Sequence, residues 1–312
     1  MSLGNLRPGA GSVTFLLTLL IPAILHAEEF TVLKDEVDGD SPRAMVRNYL
    51  RREAAAAFDR RQEAYEALKT AEQITAYGDR HREFLWKQLG GMPERTPLNP
   101  QVVGKLEGDG FRIEKIIFES RPSHFVTALL YLSASDRPHP GAIVPCGHTS
   151  NGKTGYQSIC ILLARNGIAA LCYDPIGQGE RYQILDENGK PRFRSTDEHT
   201  LLGVGSMLVG RNTASYRVWD GIRALDYLAS RDEVDESRLG CTGNSGGGTL
   251  TEYLMALDNR ILCAAPSCCI TSFERKLAVK GPGDAEQNIF GQIAFGLDHA
   301  DYTIMRAPKP TL

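Results

Sequence analysis

Residues 238–257 read RLGCTGNSGGGTLTEYLMAL. The opening RLGCT has the character of a short strand, and the closing TLTEYLMAL that of a helix. Between them Gly243, Ser245 and Gly247 fall in a G-x-S-x-G arrangement. A serine on a sharp strand-to-helix turn needs glycine two residues to either side, because side chains there would collide with neighbouring elements. Such a turn exposes the hydroxyl at a helix start, where free N–H groups and the helix dipole favour developing negative charge. The chain holds 31 glycines, so the five letters alone would be weak. The strand before and the helix after them make Ser245 a candidate nucleophile, with a structural glycine-rich turn as the alternative.

The same alternation extends outward. Residues 141–146, 168–173, 238–242 and 261–265 read as short apolar strands, and 156–164, 213–230 and 247–257 as helices. Continuous apolar strands alternating with helices imply a parallel sheet covered on both faces. Ahead of them, FRIEKIIFE (111–119) and FVTALLYL (125–132) read as neighbouring strands joined by a turn at Arg121-Pro122-Ser123. The expected fold is therefore α/β: a doubly wound, mostly parallel sheet opened by an antiparallel hairpin. Ligands of such sheets bind at the carboxyl ends of the strands, which selects the loops 147–154, 174–181 and 243–247. Residues 182–212 form a long stretch without clear periodicity, readable as a lid, a substrate-binding insertion or a plain surface insertion.

The first of these loops, GHTSNGKT (147–154), also satisfies the phosphate-loop pattern G-x-x-x-x-G-K-[ST]. Asp174 at the end of the next strand would then suit magnesium. Against this, no N-K-x-D motif is present, and a nucleotide site leaves the serine turn unexplained. In the opposing reading Lys153 is a solvated surface residue and Asp174 a carboxylate that caps the following loop without touching substrate.

At the N-terminus, residues 1–27 carry Arg7, then an apolar stretch from Val13 to Leu25 interrupted by Pro22, then His26-Ala27. The stretch is too short to span a bilayer and reads as a cleaved export signal, so the expected location is secreted or periplasmic. Residues 28–100 form an expected helical extension, with one helix starting at Ser41-Pro42 and another over about 75–89, and residues 101–312 the main domain. A net charge of −3 gives no reason to expect nucleic acid or an anionic membrane as partner. The seven cysteines are odd in number and sit mostly in apolar runs, as buried free thiols do. No C-x-x-C pair exists and the histidines lie apart from the cysteines, so no zinc site is expected.

The order of loops from about Val102 onward resembles the α/β-hydrolase family. Gly147-His148-Thr149 stands where that family carries an oxyanion loop, Asp174-Pro175-Ile176-Gly177-Gln178-Gly179 matches its D-x-x-G-x-G turn, and the serine turn follows. Within the family the chain is most similar to secreted serine esterases of the acetyl xylan esterase and dienelactone hydrolase-like groups. The resemblance implies that Ser245 attacks an ester carbonyl. It also implies that Gly246 N–H and the loop at His148 and Thr149 hold the oxyanion, and that no metal or organic cofactor takes part. A small-molecule or carbohydrate ester would be the substrate, with no nucleic acid or membrane partner after signal cleavage. Neither the ester nor the oligomeric state is specified.

In that family an acid and then a histidine follow the serine. Counting 141–146 as the family's third strand makes 261–265 its sixth, so the acid and base are expected beyond Leu312 and the C-terminal strands are expected to be missing. The best internal base is His299, with Asp284 or Glu286 as possible acids, against a plain surface histidine. A polypeptide without its base should have little activity. Two alternatives stay open: a peptidase of the prolyl oligopeptidase type, and a non-catalytic binding module that kept the fold and lost its base.

Overall fold

Pairing of seven strands explains why the three selected loops share one edge. The computed structural model describes residues 41–135 and 138–312 together with Val32 and Glu36, and the expected export segment lies outside the described residues. The strands are β1 (Gln101–Gly108), β2 (Phe111–Arg121), β3 (His124–Ser133), β4 (His139–Pro145), β5 (Ala169–Tyr173), β6 (Val234–Asn244) and β7 (Ile261–Ser267). Their order is β1-β2-β3-β5-β4-β6-β7. The β1 to β3 ribbon and the β3–β5 pair are antiparallel, whereas β5, β4, β6 and β7 run parallel. Chain direction from β4 leads to β5 on one side and later to β6 on the other. The switch point therefore lies at the carboxyl ends of β4 and β6, where a crevice opens.

Both faces of β4 and β5 are buried, as their apolar runs require. Ile143, Leu171 and Tyr173 point into a large core with Trp219, Leu225 and Leu254. Their neighbours Val144, Ala170 and Cys172 point into a smaller one with Cys160 and Ala164. Helix α3 (Gln157–Arg165) covers the smaller core, and α5 (Thr213–Ala229) and α6 (Gly246–Leu257) cover the larger. Four cysteines, Cys146, Cys160, Cys172 and Cys241, are buried free thiols, while Cys263 and Cys268 are exposed.

The N-terminal helices are α1 (Met45–Glu66) and α2 (Ala71–Gln88). Helix α2 begins earlier than its apolar spacing suggests because Thr70 and Gln73 form a reciprocal capping box. Leu85 in α2 and Leu89 just after it enter the large core. Helix α4 (Ser195–Leu208) occupies the stretch expected to be irregular. Its Leu201, Val204, Met207 and Leu208 are exposed, so its apolar residues trace no single inward stripe. Strand β1 was not expected either. Every residue of QVVGKLEG except Gly104 is exposed, and no apolar alternation marks it.

One sequence expectation is overturned at Lys153, which is 6% exposed rather than solvated. Its ammonium contacts Asp174 Oδ2 and lies 2.8 Å from Glu180 Oε2. Asp174, fully buried, also accepts from Lys153 N–H at 2.7 Å, Thr127 Oγ1–H at 2.7 Å and Glu180 N–H at 3.2 Å. A Cβ at Gly152 or Gly179 would overlap this carboxylate, which accounts for glycine at both positions. The lysine that completes the phosphate-loop pattern is thus consumed inside the protein. Asp174→Ala would leave a buried ammonium and three N–H or O–H donors without their acceptor. It is expected to lower unfolding free energy by roughly 3–5 kcal/mol in urea titrations.

Candidate active site

Ser245 stands between the last residue of β6 and the first of α6, with φ 57° and ψ −120°. Few non-glycine residues adopt a positive φ, and holding one there costs on the order of 1–3 kcal/mol. The surrounding glycines show what enforces it. A Cβ at Gly243 would come within 2.5 Å of Gly247 O, and one at Gly247 would overlap the carbonyl oxygen of Pro145 at the end of β4. Ser245 N–H donates to Ser267 O at 2.8 Å and Thr249 N–H donates to Ser245 O at 2.9 Å, fixing the turn on both sides. The side chain is exposed. It lines a cleft of about 610 Å³ with Thr249, Cys268, Ile270, Lys276 and Asp284.

The 147–149 loop abuts this turn. A Cβ on Gly147 would overlap Asn244 O and sit 3.4 Å from Ser245 Cβ, so only glycine lets the two loops meet. Gly147 N–H donates to the Tyr156 hydroxyl at 2.6 Å, and Thr149 N–H donates back to Gly147 O at 2.8 Å. Gln178, inside the D-x-x-G-x-G turn, donates from Nε2 to Gly147 O at 2.7 Å and to Thr149 O at 2.8 Å. Among the described residues, the peptide N–H groups of His148 and Gly246 donate to no backbone or side-chain acceptor. Of the three residues assigned to the oxyanion site from sequence, Gly246 and His148 keep a free amide. Thr149 does not, because its own loop turn takes its N–H.

The His148 ring packs on Gly246, where a Cβ would lie 2.6 Å from His148 Cε1. Its Nε2 is 2.6 Å from Glu286 Oε1 and its Nδ1 is 3.4 Å from Asp284 Oδ2. Arg217 Nη1 lies 2.9 Å from the same Glu286 oxygen, and His199 Nδ1 lies 3.4 Å from the other. Burial opposes ionisation of Glu286. Arg217 and the two imidazoles outweigh it and hold its carboxyl well below the usual carboxylate range.

His299 does not reach the serine. It is buried at the start of the short helix His299–Ile304, where Asp298 caps the helix and accepts His299 N–H at 2.8 Å. That cap turns the ring toward α6, with Nδ1 3.2 Å from Glu252 Oε1. Asp284 and Glu286, the acids considered for it, face His148 instead. No sequence pattern marks Tyr156 and Gln178 as braces of the loop, nor Arg217 and His199 as partners of Glu286, because a contact between distant loops leaves no local trace.

Comparison with known proteins places the chain by family and by fold. A family model described as acetyl xylan esterase (AXE1) matches residues 73–298. The chain is 24% identical over 204 residues to YtaP of Bacillus subtilis strain 168, a provisionally named hydrolase. The match covers 60% of this chain and 62% of that protein, so the chain spans less than two thirds of that relative's length. A provisionally named acetyl xylan esterase from Bacteroides fragilis NCTC 9343 superposes with a TM-score of 0.69 at 15% identity, covering 78% of this chain and 68% of that one. A glucuronoyl esterase from Solibacter usitatus gives 0.53 at 17% identity, over 78% and 74% of the two chains. At these identities the structural likeness is one of fold.

The backbone strain at residue 245 generates a direct expectation. Ser245→Gly removes the strained side chain, which makes no capping hydrogen bond, and is expected to raise unfolding free energy by about 1 kcal/mol. Urea denaturation followed by circular dichroism checks it, and a destabilised variant would show that the turn holds no strain.

Proposed function

The chain belongs to the acetyl xylan esterase (AXE1) family, and from that premise we propose that it is a serine ester hydrolase removing acyl groups from carbohydrates. Ser245 carries the reading: an exposed hydroxyl on a strained turn, flanked by the free amides of Gly246 and His148. In the proposed reaction Ser245 Oγ adds to the ester carbonyl. The developing oxyanion accepts hydrogen bonds from the two amides, the alcohol leaves, and water later releases the acyl group. Preset amides need no reorganisation as charge forms, and losing one such donor typically costs on the order of a hundredfold or more in rate. The family and the carbohydrate esterases that share the fold support an acylated sugar as substrate. Export is part of the same proposal, supported by the apolar stretch from Val13 to Leu25. Among the described residues, no helix is long and apolar enough to cross a membrane.

The serine also needs a base, and one observation favours a second reading. Among the described residues each histidine ring is engaged elsewhere: His81 with Tyr77 O, His124 with Arg181, His139 with Ser135, His148 with Glu286, His199 with Ile176 O and His299 with Glu252. A non-catalytic module that binds esters in the same cleft would need none of them. Incubation with a fluorophosphonate probe separates the two. Labelling of the chain that is lost in Ser245→Ala supports the hydrolase, and silence in a folded chain supports the binding module.

The brace on the oxyanion loop makes a second expectation. Gln178→Ala frees two carbonyls of the 147–149 loop, and a misplacement of about 1 Å can cost on the order of a hundredfold. The variant is expected to lose roughly 10–100-fold in kcat on a 4-nitrophenyl acetate assay while KM changes little.

A further inference from the structure

The cleft that exposes Ser245 is lined by two unlike stretches of chain. Ser245 N–H donates to Ser267 O, and a Cβ at Gly248 would lie 2.8 Å from Cys269 Sγ, so residues 267–269 run against the serine turn. The lining beside the serine, Thr249, Cys268, Cys269 and Ile270, carries no charged side chain. The short helix Phe273–Val279 and the turn after it carry all the charge: Arg275, Lys276, Lys280 and Asp284. Positions 275, 276, 279 and 280 share one helical face, which fronts the cleft, whereas Glu274 is exposed and takes no part in the lining.

Three cations thus border the cleft against one carboxylate, in a chain whose net charge is −3. Among the described residues no carboxylate pairs with any of the three. Arg275 and Lys280 are exposed, while Lys276 is half-buried and its ammonium contacts the amide oxygen Gln287 Oε1. Burial lowers the Lys276 pKa, Asp284, Glu286 and Glu252 oppose that shift, and Lys280 adds to it. Those three acids face other partners: Asp284 Oδ2 lies 3.4 Å from His148 Nδ1, Glu286 Oε1 2.9 Å from Arg217 Nη1, and Glu252 Oε1 3.2 Å from His299 Nδ1. A half-buried ammonium crowded by a like charge is stabilised by an anion arriving from outside, and an excess of one sign in a cleft draws that anion in.

We infer that the cleft takes an acidic sugar chain, in which free carboxylates of uronate residues on the alcohol side of the ester pair with Arg275, Lys276 and Lys280. The inference deepens the hydrolase reading and rests on it for the cleavage, though not for the pairing. The two stretches of lining set the orientation. Uncharged residues beside Ser245 suit a small neutral acyl group, and the cations on the helix suit the sugar that carries it. The Arg275 guanidinium can hold a carboxylate through two parallel N–H bonds, and each lysine offers a compact point charge. The bond changes stay as described: the Ser245 Oγ–acyl bond forms, the acyl–sugar oxygen bond breaks, and the serine proton ends on the sugar hydroxyl. A neutral acetylated chain would fill the same space and leave three cations without an anion, so the discrimination is electrostatic and weakens with salt.

The test compares the full chain on acetylated polygalacturonate with free carboxylates and on acetylated, unsubstituted xylan, in about 20 mM and about 500 mM sodium chloride. At low salt kcat/KM on the acidic chain is expected to be at least about tenfold higher, falling to about twofold or less at high salt. Arg275→Ala combined with Lys280→Ala is expected to remove most of that preference, chiefly through KM. Equal kcat/KM on the two chains overturns the inference, as does a preference indifferent to both salt and the substitutions. A preference for 4-nitrophenyl succinate over 4-nitrophenyl acetate would put the carboxylate on the acyl side and overturn it too. Binding is read without catalysis by retardation of Ser245→Ala in native gels containing unacetylated polygalacturonate, which the two further substitutions should abolish. If the substituted chain does not fold by circular dichroism, the salt-dependent preference of the unaltered chain decides. Retardation without fluorophosphonate labelling would leave the carboxylate site standing and the hydrolase reading fallen, and labelling with neither retardation nor preference would do the reverse.

Discussion

The carbonyl oxygen of Pro145 lies 2.1 Å from where a Cβ on Gly247 would stand, and the site depends on that close approach. It brings the end of β4 against the start of α6 so closely that no side chain fits, and Ser245 must take the left-handed turn to connect β6 to the helix. Two adjacent parallel strands, β4 and β6, thereby deliver their following loops to a common point. The Gly147 turn and the Ser245 turn touch because glycine stands at 147 as well as at 243 and 247. Strain at one residue is sustained by packing at four.

Around this contact the protein arranges two polar clusters with different roles. Asp174 gathers backbone and side-chain donors from β3, the 152–153 turn and the 179–180 turn, and so holds the loops after β4 and β5 in register. Glu286 gathers His148, His199 and Arg217 beside the 147–149 loop. The loop is therefore held by Gln178 through two of its carbonyls and by Glu286 through the His148 ring. The His148 amide, uncommitted among the described residues, belongs to the segment these restraints hold, and a donor fixed in that way suits the oxyanion role proposed for it.

What the sequence disclosed follows from how local each constraint is. The G-x-S-x-G turn was legible because its five residues and its flanking strand and helix are contiguous in sequence, although the contacts that require Gly247 come from Pro145 and Cys146 at the end of β4. The parallel strands were legible because burial on both faces leaves Val144, Leu171 and their neighbours no polar alternative. Strand β1 was not, since its pairing with β2 rests on backbone hydrogen bonds while its side chains stay exposed. Lys153 looked like a surface residue because lysine usually is one; its partner Asp174 is brought to it by a strand crossover. His299 follows Ser245 in chain order, and only the helix cap at Asp298 shows that its ring faces Glu252.

Strand β1 closes one border of the sheet with its unpaired side open and Val102, Val103 and Leu106 exposed. A regular border of that kind would offer itself to strands of other molecules. The pairing with β2 shifts between Val102 and Gly104, and Lys105 beyond the shift is tied to Glu114 across the strands at 3.0 Å. An extra residue in the ladder bends the strand and a charge follows the bend, so a second copy meets a broken, hydrated rim. The irregularity that hid this strand from its own sequence pattern is thus of the kind that disfavours sheet-upon-sheet growth in concentrated solution.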